Sequence, residues 1–313
     1  MKKAIYIVGP TATGKSKLAV ALAKKLDGEV VNMDSMQVYR QLSIGAAKPT
    51  QEEMEGIPHH LFGIVDVGEE FSVSRYRDRA EAVMEEICER ERVPIFCGGT
   101  GLYLNAMIYE MDFTQANRDD EVRKRLEKQL EAEGKGALYA RLMEVDAETA
   151  ERLNPNDVRR VMRALEVYEI TGLPMSAQTG DFQGLRKKEY PFVLIGLTDD
   201  RERLYHRINQ RVEEMLEKGL IEEARDVLSL GVAMDHPSMM GIGYRQVFPY
   251  LQGEYGYEEM VALIKQETRR FCKRQITWLK REGDIHWLSL TEDPSPKGLA
   301  EEVLAILEEE DFI

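Results

Sequence analysis

The sequence predicts an α/β protein with a P-loop-type parallel sheet core and an all-helical insertion. Three observations carry this. The stretch Gly9-Pro10-Thr11-Ala12-Thr13-Gly14-Lys15-Ser16 fits the pattern G-x-x-x-x-G-K-[ST] and follows the apolar run Ala4-Ile5-Tyr6-Ile7-Val8, which is the context such a phosphate-cradling loop requires. Short apolar runs then alternate with a helical-period segment as far as Cys97, the pattern of a parallel sheet. From Asn117 to about Tyr168 the alternation stops and the pattern is helical throughout, until sheet-type sequence returns at Phe192-Val193-Leu194-Ile195-Gly196-Leu197. Residues 1–112 and 190–313 are therefore expected to form the α/β core, and 113–189 the helical insertion.

Taken in order, residues 4–8 read as a strand whose exit is turned by glycines, and Ser16 to Ala23 as a helix with its positive N-terminus under an anion. In that arrangement Lys15 neutralises charge and Ser16 is the candidate ligand of a magnesium ion; the bland alternative is a chance glycine-rich turn. Glu29-Val30-Val31-Asn32-Met33 is a second strand, stopping at Asp34-Ser35. In an open parallel sheet the carboxyl ends of the strands share one edge, so Asp34 is expected beside the loop. It has three readings: a magnesium-binding carboxylate, a base acting on a second substrate, or an N-cap of the following turn. Ser35, Met36 and Gln37 offer groups suited to a base edge. Ser74 to Arg92 has helical periodicity, with Ala80, Val83, Met84 and Ile87 on one face. Val93-Pro94-Ile95-Phe96-Cys97 is a third strand, ending at Gly98-Gly99-Thr100-Gly101 and delivering Thr100 to the same edge. His59-His60 is given a loop packing role, since adjacent residues rarely point at one metal.

Composition narrows the class. Hydrophobic content of 43% and charged content of 31% fit a soluble globular chain, with no apolar segment long enough for a membrane span and no cleavable signal pattern. A cytoplasmic monomer is expected. The three cysteines, Cys88, Cys97 and Cys272, form no C-x-x-C pair, which argues against a disulfide framework or a zinc site. A net charge of -14 opposes a polyanionic partner, unless the basic residues gather locally. They do so on the long helix expected from Tyr257 to about Arg281. At about 100° per residue, Val261, Ile264, Phe271, Cys272, Ile276 and Leu279 form one arc, and Arg269, Arg270, Lys273, Arg274, Lys280 and Arg281 the other, with Trp278 at the border. The basic arc has no acid after Glu267. Arg207 and Arg211, four apart on another helical face, suit a clamp on a phosphate or are ordinary surface arginines. Gly241-Ile242-Gly243-Tyr244-Arg245 reads as a flexible turn into a helix.

Together these residues resemble a known family. Gly9 to Ser16, Asp34-Ser35-Met36-Gln37-Val38-Tyr39, Gly45-Ala46-Ala47-Lys48-Pro49, Gly98-Gly99-Thr100-Gly101-Leu102-Tyr103, Asn156-Asp157-Val158-Arg159-Arg160-Val161-Met162-Arg163-Ala164-Leu165-Glu166, Gly243-Tyr244-Arg245-Gln246 and Lys273-Arg274-Gln275-Ile276-Thr277-Trp278-Leu279 are similar, block by block and in order, to the motifs of the tRNA dimethylallyltransferases. The likeness runs from residue 5 to about 288. It implies transfer of a dimethylallyl group from dimethylallyl diphosphate to N6 of the adenosine on the 3′ side of the tRNA anticodon. By the same resemblance Asp34 is the general base and Thr100 lies beside the reacting centre. Gly9 to Ser16, with magnesium on Ser16, hold the diphosphate together with Arg211. Ser35, Met36, Gln37, Arg159, Arg160, Arg163, Gly243, Tyr244, Arg245, Lys273, Arg274, Gln275, Trp278 and Lys280 touch the anticodon stem-loop. Met240 and Gly241 carry no basic side chain, which puts phosphate contact there in doubt. The C-terminal zinc finger of eukaryotic members has no matching Cys and His here, so the chain is similar to the bacterial form and no zinc is expected.

Three rival readings are a transferase acting on free AMP, a small-molecule kinase in which the loop holds ATP, and a P-loop switch or interaction module with no chemistry, though no N-K-x-D motif for reading guanine is present. The helical insertion and the basic helix count against the first, because a mononucleotide needs neither.

Overall fold

Short apolar runs become the centre of one sheet. In the computed structural model, which describes residues 2–111, 119–178, 186–290 and 294–313, β1 (Ala4–Val8), β2 (Gly28–Asn32), β3 (His59–His60), β4 (Val93–Cys97), β5 (Phe192–Thr198) and β6 (Ile285–Ser289) lie in the order β3-β2-β4-β1-β5-β6. Each of the five pairings within this sheet is parallel. β1, β2 and β4 are buried at each of their five positions, the near-continuous apolar pattern of strands covered on both faces. Ile7 pairs with both Cys97 and Ile195, so β1, β4 and β5 finish at a common edge. β3 corrects the expectation for His59-His60: they form a short edge strand against Val30 and Val31. His60 Nε2 lies 2.6 Å from Glu29, whose buried carboxylate also meets Arg90 at 2.8 Å and Arg92 at 3.1 Å.

The helices follow from caps and periodicity. α1 (Lys15–Leu26) starts directly from the glycine loop, and α2 (Gln51–Met54) is a single turn closed by a capping box from Thr50 to Glu53. α3 (Val73–Glu89) is capped by Ser72, which accepts from Arg75 N–H, and buries Tyr76, Ala80, Met84 and Ile87. These are spaced by four, four and three residues, the interval of a helical face. α4 (Gly101–Ile108) leads to α5 (Asp120–Val145), which bends at Gly134 where φ is 80°. α6 (Ala147–Arg152), α7 (Val158–Thr171) and α8 (Met175–Gln178) follow. After β5 come α9 (Arg201–Glu217), α10 (Leu220–Ser229), α11 (Tyr244–Leu251) and α12 (Tyr257–Leu279). α13 (Pro296–Glu309) closes the chain after β6.

Among the described residues the chain forms two compact units, Met1–Met107 with Glu189–Ile313, and Ile108–Lys188. The first has its core where α1 and α13 lie on the sheet: Leu18 and Leu22 join Ile5, Ile95, Ile195, Val303 and Leu307. Each such side chain contributes about 1.5–3 kcal/mol on full burial. The second has its own core, in which Val122, Leu126, Leu138 and Leu142 of α5 meet Val161, Met162 and Leu165 of α7. Residues 113–118 and 179–185 of the expected insertion lie outside the described residues.

Candidate active site

The Gly9–Ser16 loop leaves β1 at the carboxyl edge. A Cβ on Gly9 would lie 2.7 Å from the Leu197 carbonyl oxygen, so β5 passes too close for any side chain there. Gly14, at φ 78°, occupies the left-handed region that glycine enters without strain. Thr13 is buried and its hydroxyl donates to Pro10 O at 2.8 Å. Lys15 Nζ donates to the same carbonyl at 2.7 Å, which folds the lysine over the loop. Burial lowers its pKa to about 8, with nearby Arg211 pushing the same way and Asp34 opposing. The Cys97 thiol, at the end of β4, hydrogen-bonds Ser16, and burial pushes it up to about 11.

Asp34 emerges beside the loop as the strand topology requires. Its backbone is fixed by Asn32, whose Oδ1 accepts from Asp34 N–H at 2.9 Å and whose Nδ2 donates to Asp34 O at 3.0 Å. Oδ1 of Asp34 accepts from Met36 N–H at 2.8 Å, so the capping reading holds for one of its oxygens. Burial raises the carboxyl pKa, while Met36 N–H, Lys15 and Arg211 pull it down. Thr100 is stitched to the same turn: its hydroxyl accepts from Ser35 N–H at 3.0 Å and donates to Ser35 Oγ at 3.4 Å. Tyr103, stacked on Tyr76 with ring centroids 3.7 Å apart, feels the Asp34 charge, and burial raises its pKa. The resembling block containing Tyr103 was the available signal for this residue.

α9 supplies arginines at intervals of four. Asp199, whose carboxylate is fully buried, takes Arg203 at 3.1 Å and Arg207 at 3.7 Å. The clamp expected of Arg207 and Arg211 therefore splits: Arg207 pairs with Asp199, whereas Arg211 shares the field of Lys15 and Asp34. Burial lowers the Arg211 pKa and Asp34 raises it. Lys15, Asp34 and Arg211 thus form one electrostatically coupled group at the sheet edge.

Several residues expected at a nucleic-acid surface are engaged within the protein. Gln275 is 5% exposed; its Oε1 accepts from Thr11 N–H at 2.9 Å and its Nε2 donates to Gly99 O at 3.0 Å. Tyr244 is 1% exposed and donates to Glu223 at 2.5 Å, where Glu223 also accepts from Ser43, Ile44 and Gly45 N–H. Buried in this way, the Tyr244 side chain is a prop for the Gly45 turn rather than a surface contact. Gly243, at φ 98°, opens α11, so the Gly241–Arg245 stretch is a turn into a helix. Arg245 meets Glu267 at 2.7 Å, and Arg270 meets the same carboxylate at 2.6 Å. Gln37 donates to Ala46 O and Ala47 O at 2.9 and 3.0 Å, and Met36 reaches Gly241. Trp278 lies over Gly101, where a Cβ would strike its ring at 2.2 Å.

The basic arc of α12 is smaller than the wheel suggests. Arg269 donates to Asn209 of α9 at 2.7 Å and stacks on Tyr205. Lys273, Arg274, Lys280 and Arg281 are exposed. In the second unit, Arg159 and Arg160 of α7 are exposed, Arg160 pairing with Asp157 at 2.7 Å, while Arg163 turns to buried Glu166 at 3.5 Å.

A parallel α/β enzyme with two cations and a carboxylate converging at the carboxyl edge is the class this site defines. The family model described as IPP transferase matches residues 37–282. A tRNA dimethylallyltransferase of Caldanaerobacter subterraneus is 47% identical over 305 residues, covering 97% of this chain and 96% of that one. That of Alkaliphilus oremlandii is 45% identical over the same shares. Among solved structures, a tRNA isopentenylpyrophosphate transferase of Bacillus halodurans is 41% identical with a TM-score of 0.73, over 99% of this chain and 98% of that one. A eukaryotic dimethylallyltransferase acting on tRNA is 30% identical with a TM-score of 0.83, over 98% of this chain and 79% of that one. The chain belongs to the tRNA dimethylallyltransferase family. Among the described residues no helix is long and apolar enough to cross a membrane.

Proposed function

We propose that this enzyme transfers a dimethylallyl group from dimethylallyl diphosphate to N6 of the adenosine 3′-adjacent to the tRNA anticodon, and releases diphosphate. The observation that carries the reading is the convergence of Lys15, Arg211 and Asp34 at the edge from which the glycine loop departs. The Gly9–Ser16 loop acts as a P-loop turned to carbon transfer. Lys15 and Arg211 face the diphosphate, whose negative charge grows as the allylic C–O bond breaks, and fixed cations aimed at developing charge are worth most in a site shielded from water.

Asp34 takes the proton of the adenine amine as N6 bonds to the allylic carbon. The amine is a weak nucleophile because its lone pair is drawn into the ring, so a positioned base is useful. Thr100 holds the Asp34-Ser35 turn. The hydroxyl of Ser16, exposed on the first turn of α1, is a hard oxygen donor that fits magnesium. When bound, magnesium neutralises leaving-group charge.

Swinging the adenosine out of the anticodon loop costs about a few kcal/mol, which phosphate contacts offset. Lys273, Arg274 and Lys280 on one unit, and Arg159 and Arg160 on the other, are the exposed cations proposed for this. The test is to incubate the protein with labelled dimethylallyl diphosphate and, separately, unmodified tRNA, AMP or ATP. Label should appear on tRNA carrying adenosine 3′ to the anticodon, with little on AMP. Equal or faster labelling of AMP overturns the choice of acceptor, and cleavage of ATP to ADP with no prenyl transfer overturns the reaction class.

A further inference from the structure

We propose that Gln275 is a positioning residue for prenyl transfer, holding the Gly9–Ser16 loop and the Gly98–Gly101 turn in register; this rests on the reading above. Its amide spans the two, accepting from Thr11 N–H at 2.9 Å and donating to Gly99 O at 3.0 Å. The fit is close: a Cβ on Gly99 would lie 2.1 Å from Gln275 Nε2 and 3.4 Å from Gly9 O. One segment carries Lys15 and Ser16, and the other leads into Thr100, which holds the Asp34 turn. A single side chain therefore ties the diphosphate end of the site to the base end.

The chemistry asks for glutamine. The site needs an acceptor at one end and a donor at the other, uncharged because Gln275 is 5% exposed. A carboxylate offers two acceptors and would confront Gly99 O with negative charge, and methionine has the length without either bond. The position of Gln275 gives the placement its consequence. It follows directly on Lys273 and Arg274, both exposed, so one turn of α12 presents cations outward and the clamp inward. The helix proposed to meet RNA also sets the loop that meets the diphosphate. With Thr11 N–H committed to Gln275, the loop's orientation is fixed before any ligand arrives, and loss of that alignment is expected to cost turnover as well as binding.

The experiment compares wild type, Gln275→Met and Gln275→Glu in three measurements: calorimetric binding of inorganic diphosphate, equilibrium binding of an anticodon stem-loop across a salt series, and steady-state prenyl transfer. Gln275→Met should weaken diphosphate binding about tenfold, the worth of one to two hydrogen bonds, and lower kcat by about 10- to 100-fold through misplacement. Stem-loop affinity and its salt slope should stay at wild-type values. Gln275→Glu should show the same defects near pH 8 and recover relative to wild type as pH falls. Burial raises a carboxyl pKa, and the acid regains an O–H to donate to Gly99 O while its other oxygen accepts from Thr11. That recovery separates positioning from mere packing, and it decides the matter even if the methionine variant fails to melt cooperatively.

The proposal is overturned if Gln275→Met binds diphosphate and turns over like wild type. It is equally overturned if the loss falls on stem-loop affinity alone, which makes Gln275 an RNA contact, or if the glutamate variant's ratio to wild type is flat with pH. If wild type itself transfers no prenyl group to tRNA, the functional reading fails instead, and diphosphate binding by the three proteins still decides Gln275.

Discussion

Asp34 is asked to ionise where burial opposes ionisation. The surrounding protein raises its pKa, and Met36 N–H, Lys15 and Arg211 offset that only in part. A base placed nearer the working pH is a better proton acceptor in the transition state, so under the proposed role of Asp34 the cost in stability accompanies a gain in rate. The sign can be worked out. A carboxyl whose folded-state pKa exceeds its unfolded value favours the protonated fold, so ionisation destabilises the protein above the ordinary value of 3.8 and fully above the raised one. Asp34→Asn, which keeps an oxygen for Met36 N–H, should therefore melt higher than wild type at pH 7. The gain should shrink as pH falls through the folded-state value and vanish near the ordinary one. Turnover should drop by about 10²- to 10⁴-fold, the worth of a general base, with diphosphate binding retained. Thermal melts against pH and single-turnover transfer check both halves. Activity within a few-fold of wild type removes the base assignment, and collapse of magnesium-dependent diphosphate binding makes Asp34 a metal ligand.

At the scale of elements, the helix α12 shows both what was legible and what was not. Its span, Tyr257–Leu279, follows the periodicity closely, as do the five-residue strands β1 and β4, because apolar runs bounded by turn residues leave little choice. Side chains whose role depends on a distant partner are not legible from the wheel alone. Arg269 lies about 20° from Ile276 on the wheel and duly packs on Asn209 and Tyr205. Gln275 sits on the apolar arc among Cys272, Ile276 and Leu279, and a lone amide there was the signal of a buried clamp. Tyr244, Val247 and Phe248 share a buried stripe at helical spacing, the pattern of a core side chain and not of a surface one. β3 escaped because two histidines carry no strand signal, and its partner Glu29 is set by tertiary contacts with Arg90 and Arg92. With Arg269 and Arg270 engaged, the exposed charge proposed to meet RNA is Lys273, Arg274, Lys280 and Arg281. Converting Lys273 and Arg274 together to Gln should flatten the log-log salt dependence of tRNA binding by about 1 to 2, given about 0.7 to 0.9 per phosphate contact. Diphosphate binding should hold, since Gln275 and the loop are untouched. An unchanged slope returns this arc to an ordinary solvated helix face.

The molecule as a whole carries a net charge of -14 yet is proposed to bind a polyanion, and its division into two units makes that proposal separable by ligand. Each unit has its own core, one built on the sheet with α1 and α13 and the other from α5 and α7, so each can open locally with its own free energy. Diphosphate is proposed to meet only the first unit, at the Gly9–Ser16 loop, Arg211 and the turn held by Gln275. A ligand that binds the folded form alone stabilises it by mass action, about 2.7 kcal/mol at a hundredfold excess over Kd. Amide hydrogen exchange with saturating inorganic diphosphate should therefore slow at residues 9–18 and 97–104, and remain unchanged across α5 and α7. Adding an anticodon stem-loop should then slow exchange around the start of α7, where Arg159 and Arg160 are exposed, and along α12 near Lys273 and Arg274. The two patterns test different claims. Diphosphate protection spreading evenly through α5 and α7 means that the units open as one cooperative body. Stem-loop protection confined to α12 removes the second unit from the RNA footprint and leaves Arg159 and Arg160 as solvated charges at a capped helix start.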